Sequence, residues 1–347
     1  MEIREHVGLA GYTTFGVGGP ARFFADAASE ADIVEAVAWA RERGVPLFLL
    51  GGGSNLLVRD AGFDGLVLHM GIVGVEADGA GVFDVGAGES WDGFVSRTIA
   101  DGCAGVECLA GIPGSVGGTP VQNVGAYGQE VAETISSVRA FDRSAGSFVE
   151  LGNAECGFRY RESVFNTTER GRYIVTRVRF GLRLGGEATL KYAELQRRFE
   201  EKALNAKDAE EERKGGPSLA EVAEVVREIR LGKGMLIVAG DADSRSAGSF
   251  FKNPIVSLEL ADRIVGVPRW AAGQGLVKLP AAWLLEQAGF VKGYGTGAVR
   301  ISSKHTLALT NRGGATFADV AAMQEEIVAG VWERFGVKLE REPVVLG

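Results

Sequence analysis

Apolar positions in this chain fall into short runs and helical stripes. Ile33, Val34, Val37 and Ala38 recur at the spacing of one helix face, Ser29 and Asp32 before them read as a capping box, and Gly44 ends the stripe. An apolar run predicts a strand at 47–50, with further strands at 66–69 and 82–85. The first 85 residues thus alternate strand and helix, which is α/β character. Ser90 opens a helix carrying Phe94, Val95 and Ile99, which Gly102 stops. Strands are predicted again at 136–142 and 173–184, the latter with apolar and cationic residues on alternate sides. Residues 199–216 are charged and weakly periodic, a solvated helix and connector, and 219–230 has the period of an amphipathic helix. Pro280 suits the first position of a helix through Trp283, Leu284 and Gln287 that Gly289 closes. Phe317, Val320, Met323, Ile327, Val331 and Phe335 mark the core side of a last long helix, and a final strand covers 343–346.

Two segments break these periods. In LFLLGGGSNLLV, residues 47–58, Gly51, Gly52 and Gly53 follow a strand and leave their N–H groups open to a ligand, as a phosphate cradle does. The cradle is neither of the common ones: Leu56 stands where a dinucleotide-binding fingerprint needs its third glycine, and the Gly-Lys-Ser/Thr of a P-loop is absent. Residues 103–128 hold seven glycines and two prolines with no regular period, and a loop that long in a compact domain is usually functional.

Composition narrows the partners. A net charge of −8 argues against a nucleic-acid surface, so an anionic ligand needs a local basic pocket. Cys103, Cys108 and Cys156 form no CxxC pair and read as buried free thiols in a reducing compartment. His6, His69 and His305 lack metal-ligand spacing, so no metal is implied and structural roles are expected for them, although His305 lies in SSKHTLAL beside the presumed site region. The N-terminus has no apolar core of signal-peptide length, and no stretch reaches the roughly 18 apolar residues of a membrane span, so a cytoplasmic protein is expected.

Five stretches in order carry a resemblance: TTFGVGGPARFF (13–24), GGGSNLLV (51–58), GIPGSVGGTPVQNVGAYGQE (111–130), CGFRYRESVF (156–165) and AGSFFKNP (247–254). Together they resemble the UDP-N-acetylenolpyruvoylglucosamine reductase family, also called UDP-N-acetylmuramate dehydrogenases, from about residue 10 to the C-terminus. The resemblance implies an α+β fold: an FAD-binding domain of the vanillyl-alcohol-oxidase type, made of two α+β subdomains, followed by an α+β substrate-binding domain. It places the subdomains at 1–70 and 71–238, the substrate-binding domain at 239–337, and returns 338–347 to the first subdomain. FAD is expected to be held non-covalently by Gly51, Gly52, Gly53, Ser54 and Asn55 in one loop and by Pro113, Gly114, Ser115 and Gly118 in the other. Asn123, Gly125, Ala126, Tyr127 and Ile174 complete that set.

The implied reaction is reduction of UDP-N-acetylenolpyruvoylglucosamine to UDP-N-acetylmuramate for peptidoglycan, with NADPH as co-substrate and no obligate protein partner. Arg161 matches the family arginine set against the pyruvyl carboxylate, where a planar fork suits an enediolate. Ser249 matches the proton donor, and Glu342 the catalytic glutamate, either as a proton donor or as a carboxylate orienting Arg161. Tyr192 matches a tyrosine brought over the UDP portion, Lys233 would meet the diphosphate, and Lys252, Asn253 and Gln287 are candidates for the remaining polar contacts. Two other readings stand beside this one: a flavin oxidase of the same cofactor fold, tethering FAD through His6, His69, Cys103 or Cys108, and a nucleotide-sugar or flavin-binding protein without turnover.

Overall fold

The computed structural model describes residues 1–205 and 216–347. The chain divides into two compact units, one of Met1–Arg4, Phe23–Gly52 and Gly65–Leu231, the other of Glu5–Arg22, Gly53–Asp64 and Gly232–Gly347.

The first unit is built on a five-stranded antiparallel sheet, ordered Ser147–Gly152, Ile135–Asp142, Tyr173–Gly181, Val82–Gly86, Val75–Ala77. Pleat alternation decides its faces. Val138 pairs with Val178, and both are buried with Ala140 and Phe180. Arg139 and Arg177 pair on the other face, where like charges directly opposite are unfavourable. Carboxylates offset them: Arg139 Nε and Nη2 donate to Glu30 at 2.6 and 2.9 Å, while Arg177 and Arg179 both reach Asp84. Within the cationic row anticipated along 173–184, Arg177 and Arg179 are therefore paired with carboxylates inside the unit.

Among the described residues, four α-helices accompany the sheet. In α1 (Glu30–Glu42) the Ser29 hydroxyl accepts from Asp32 N–H and the Asp32 carboxylate accepts from Ser29 N–H, closing the capping box, and Ile33, Ala36 and Ala40 turn inward. α2 (Trp91–Ala100) starts at Ser90, whose hydroxyl accepts from Gly93 N–H. It buries Trp91, Phe94 and Val95 against Phe180 and Phe83. α3 (Ala193–Asn205) is followed by α4 (Leu219–Gly232), whose buried face is Val222, Ala223, Val225, Val226, Ile229 and Arg230. Leu47–Leu50 pairs in parallel with Leu66–His69.

In the second unit Val344–Leu346 pairs in parallel with Leu56–Val58, and the segment Val299–Ile301 pairs antiparallel with Leu309–Asn311. A small antiparallel sheet joins Ile255–Ser257, Leu276–Lys278 and Trp270–Ala271. Its helices are α5 (Leu258–Asp262), α6 (Ala281–Gln287) and α7 (Phe317–Phe335). α7 has a Thr316/Asp319 capping box and ends at Gly336, φ 65°. Val320, Ile327 and Val331 are fully buried, whereas Phe317, Met323 and Phe335 are only partly so.

Several expectations change. The α/β character read from the first 85 residues survives in the parallel pairing of Leu47–Leu50 with Leu66–His69, but the main sheet is antiparallel, and the fold is α+β. The strand foreseen at 173–184 stops at Gly181 and resumes at Arg183–Leu184 against Cys103–Ala104. Pro280 is the residue before α6, with extended backbone at ψ 114°, and its carbonyl accepts from Leu284 N–H. The charged helix starts earlier than foreseen, at Ala193, and 206–215 lie outside the described residues. Arg4–Gly8, Pro20–Ala27 and Ser147–Gly152 are strands whose polar and apolar residues gave no clean period. All three cysteines are buried and free. Burial pushes the Cys156 thiol up to about 12 and the Cys108 thiol higher still, so neither is a ready nucleophile. Among the described residues no helix is long and apolar enough to cross a membrane, and no group of His, Cys, Asp and Glu is placed to hold a metal.

Candidate active site

The glycine loop that breaks the early pattern is there for close approach. A Cβ at Gly52 would lie 2.6 Å from Gly114 Cα and 3.0 Å from Ser115 N, so the two predicted cofactor loops abut through backbone. Gly53 has φ 63°, and a Cβ there would meet Tyr12 O at 1.9 Å. The second loop is tethered through the main chain: Trp91 N–H donates to Gly114 O at 3.0 Å and Val116 N–H to Glu89 O at 2.9 Å. Gly51, Ser54, Asn55 and Pro113 are half-buried, Ser115 is buried and Gly118 is exposed. Asn55 Nδ2 is buried without a hydrogen-bond partner among the described residues. A donor left this way is costly unless a ligand oxygen meets it, and a pyrophosphate supplies one. Ile174, expected at the cofactor, is 2% exposed and pairs with Phe141 in the sheet of the first unit.

Backbone strain marks the next part. Four described non-glycine residues have positive φ, and three are predicted site residues: Asn123 (42°), Tyr127 (49°) and Arg161 (58°). Such conformations cost about 1–3 kcal/mol each and persist where the surroundings over-determine them. Tyr127 and Gly128, φ 49° and 85°, form the two-residue turn between Gly125–Ala126 and Gln129–Glu130, as a type I′ hairpin requires. Asn123 is pinned from both ends of its amide: Nδ2 donates to Glu130 Oε2 at 2.9 Å and Arg159 O at 3.0 Å, and Oδ1 accepts from Ala132 N–H at 3.1 Å. Arg161 sits in the turn that Arg159 and Glu162 close, and its Nη2 donates to Gly125 O at 2.8 Å. Tyr192 meets Tyr127 edge-on, ring centres 5.4 Å apart.

Arg230 belongs to the same group and was not singled out from sequence. It is 5% exposed, donates from Nε to Gly111 O at 3.0 Å and hydrogen-bonds the Tyr127 side chain. Burial lowers its pKa, yet a guanidinium stays protonated, so the cation is fixed beside the glycine loop. A signal existed: Arg230 stands four residues after Val226, within the apolar face of α4.

The second unit gathers Ser249 and Glu342. Glu342 N–H donates to Phe250 O at 2.9 Å, Lys252 N–H to Glu340 O at 2.9 Å, and Phe251 pairs with Arg341, so 249–252 runs beside 340–342. Ser249 follows Gly248, φ 74°, and precedes two fully buried phenylalanines. Its hydroxyl lies 3.4 Å from His305 Nε2. Lys233 is half-buried and acts on His305 electrostatically. Asn253 Oδ1 accepts from Ala281 N–H at 2.9 Å at the start of α6, and Gln287 is exposed at its end.

Residues 21–152 match the FAD binding domain family, and residues 241–346 match the family described as UDP-N-acetylenolpyruvoylglucosamine reductase, C-terminal domain. Fold and site thus define an FAD-dependent oxidoreductase, and the partnerless Asn55 amide and the abutting glycine loops fit that cofactor. The chain is 49% identical to UDP-N-acetylenolpyruvoylglucosamine reductase of Streptomyces coelicolor, over 98% of this chain and 89% of that protein. With the Thermobifida fusca protein of the same name it shares 46%, over 99% and 98%. The crystal structure of UDP-N-acetylenolpyruvylglucosamine reductase from Thermus caldophilus superposes with a TM-score of 0.67 at 28% identity, over 100% of both chains. The chain belongs to the UDP-N-acetylenolpyruvoylglucosamine reductase family.

Proposed function

We propose that this protein reduces the enolpyruvyl group of UDP-N-acetylenolpyruvoylglucosamine to give UDP-N-acetylmuramate, a peptidoglycan precursor, with NADPH as reductant and non-covalent FAD as cofactor. FAD, when bound, supplies the hydride chemistry between NADPH and the substrate. The chain's own work is to hold the cofactor and the sugar nucleotide, stabilise negative charge at the pyruvyl carboxylate, and deliver one proton. Gly51, Gly52, Gly53, Ser54, Asn55, Pro113, Gly114, Ser115, Gly118, Asn123, Gly125, Ala126, Tyr127 and Ile174 are assigned to the cofactor. Arg161 grips the carboxylate with a planar fork that strengthens as the group becomes an enediolate. Ser249 gives its hydroxyl proton to the neighbouring carbon, and Glu342 completes the catalytic set. Lys233 meets the diphosphate, Tyr192 covers the UDP portion, and Lys252, Asn253 and Gln287 serve the sugar and base, with 239–337 as the substrate-binding domain.

The observation that carries this reading is the 2.9 Å hydrogen bond from Glu342 N–H to Phe250 O, which holds the backbone of Glu342 beside the segment that carries Ser249. A protein that only binds nucleotide sugars has no use for that pair. The purified protein is expected to be yellow, to bleach anaerobically with NADPH, and to recover its colour on addition of the enolpyruvyl sugar nucleotide. Ser249→Ala should bleach normally and recover colour about 100-fold more slowly or worse. Equal loss in both steps would remove Ser249 from proton delivery.

A further inference from the structure

Ser249 does not stand alone. The segment Ser246–Phe251 runs along the hairpin that holds His305: Ser246 bridges Thr310, and Phe250 N–H donates to Leu307 O at 2.7 Å. The turn is fixed from inside, since the buried Ser302 hydroxyl accepts from Lys304 N–H at 3.0 Å and His305 N–H at 3.2 Å, and Ala308 N–H donates to His305 O at 3.1 Å. The Ser249 Oγ to His305 Nε2 distance of 3.4 Å is therefore set by register on both sides. Such contacts are often long before substrate binds.

Resting on the reading that Ser249 is the proton donor, we propose that His305 is its positioning residue: a neutral imidazole whose Nε2–H donates to Ser249 Oγ, aims the hydroxyl hydrogen at substrate and then holds the serine alkoxide. The opposite tautomer would draw the Ser249 hydrogen towards the ring and away from the acceptor carbon. In the step itself the Oγ–H bond breaks and a C–H bond forms at the substrate carbanion; the negative charge moves to Oγ, where Nε2–H meets it. A solvent proton then restores the hydroxyl, so the ring gains and loses nothing. The groups acting on the ring are Lys233 and Lys292, which disfavour a second positive charge, and Glu286, which favours it. Burial is the larger effect and pushes the His305 pKa down to about 4, so at neutral pH the imidazole is uncharged.

The test uses the FAD-loaded enzyme and its two half-reactions. His305→Leu removes the donor and should slow reoxidation by the enolpyruvyl sugar nucleotide about 100-fold or more, as loss of one preorganised donor does, while bleaching by NADPH stays within about two-fold. His305→Gln, which places an amide N–H near the Nε2 position, should restore most of that rate, and the shorter His305→Asn should not. Because His305 acts through the serine, His305→Leu should cost nothing further in a Ser249→Ala background. Reoxidation at the wild-type rate in His305→Leu overturns the proposal, as does an equal extra loss in the Ser249→Ala background. If His305→Leu does not fold, equal rates for the Gln and Asn variants overturn it. Should Ser249→Ala itself reoxidise normally, the assignment of Ser249 is what fails.

Discussion

Asn123 is 1% exposed, adopts φ 42°, and uses both ends of its amide on Glu130, Arg159 and Ala132. Asn123→Ala strands those partners and places an alanine where asparagine is better tolerated, at a cost of about 2–4 kcal/mol. A fall in melting temperature is expected, together with weaker flavin retention on gel filtration; an unchanged melting temperature would show that the amide is dispensable. Arg230 shows what sequence only hinted at on this scale. A cation at the end of an amphipathic helix ordinarily faces water and favours the helix C-terminus. Only the packing of α4 puts it inside, against Gly111 O and Tyr127. His305 was concealed for the same reason, since its contact with Ser249 spans 56 positions of sequence.

Among the elements, the helix termini were the most legible. The Ser29/Asp32 box, the Ser90 cap and the apolar face of α7 all involve residues within a turn or two, and local hydrogen bonding reads the same in sequence and in space. Thr316→Ala removes the hydroxyl that accepts from Asp319 N–H and should cost about 1 kcal/mol in chemical denaturation. Thr316→Ser should cost much less, and equal losses in both would indicate that packing of α7, not its cap, is at stake. Strands such as Arg4–Gly8 and Pro20–Ala27 were less legible because pairing partners, not local pattern, make them strands. Pro280 was placed one position too far into its helix, where the chain uses its extended backbone as the boundary instead.

For the molecule as a whole, pH acts through groups whose folded pKa lies below the usual value. The Arg172 guanidinium hydrogen-bonded to Asp142 holds that carboxyl at about 2, and Arg139 lowers Glu30. Such groups bind fewer protons folded than unfolded, so their stabilisation is complete above the ordinary carboxylate range and is lost as pH falls towards 2. His305 has the same sign at higher pH: the unfolded chain takes up its proton near pH 6.5, the folded one near 4, so stability declines across that window. Melting temperature at saturating FAD should therefore fall in two stages on acidification, from 6.5 to 4 and then from 4 to 2. The first stage should shrink in His305→Gln; its persistence would assign that loss of stability to other groups.

By itself the sequence determined most of the helices and the caps at Ser29 and Ser90, the glycine loops, the buried thiols, and a motif order from which the family could be read. These depend on forces acting over a few residues, or on side-chain types that must occur in a fixed sequence. Tertiary structure alone decided which cations are paired with carboxylates, which arginine is buried, and which histidine lies beside Ser249. Burial and hydrogen bonding between segments far apart in the chain create those environments, and no window of neighbouring residues contains them.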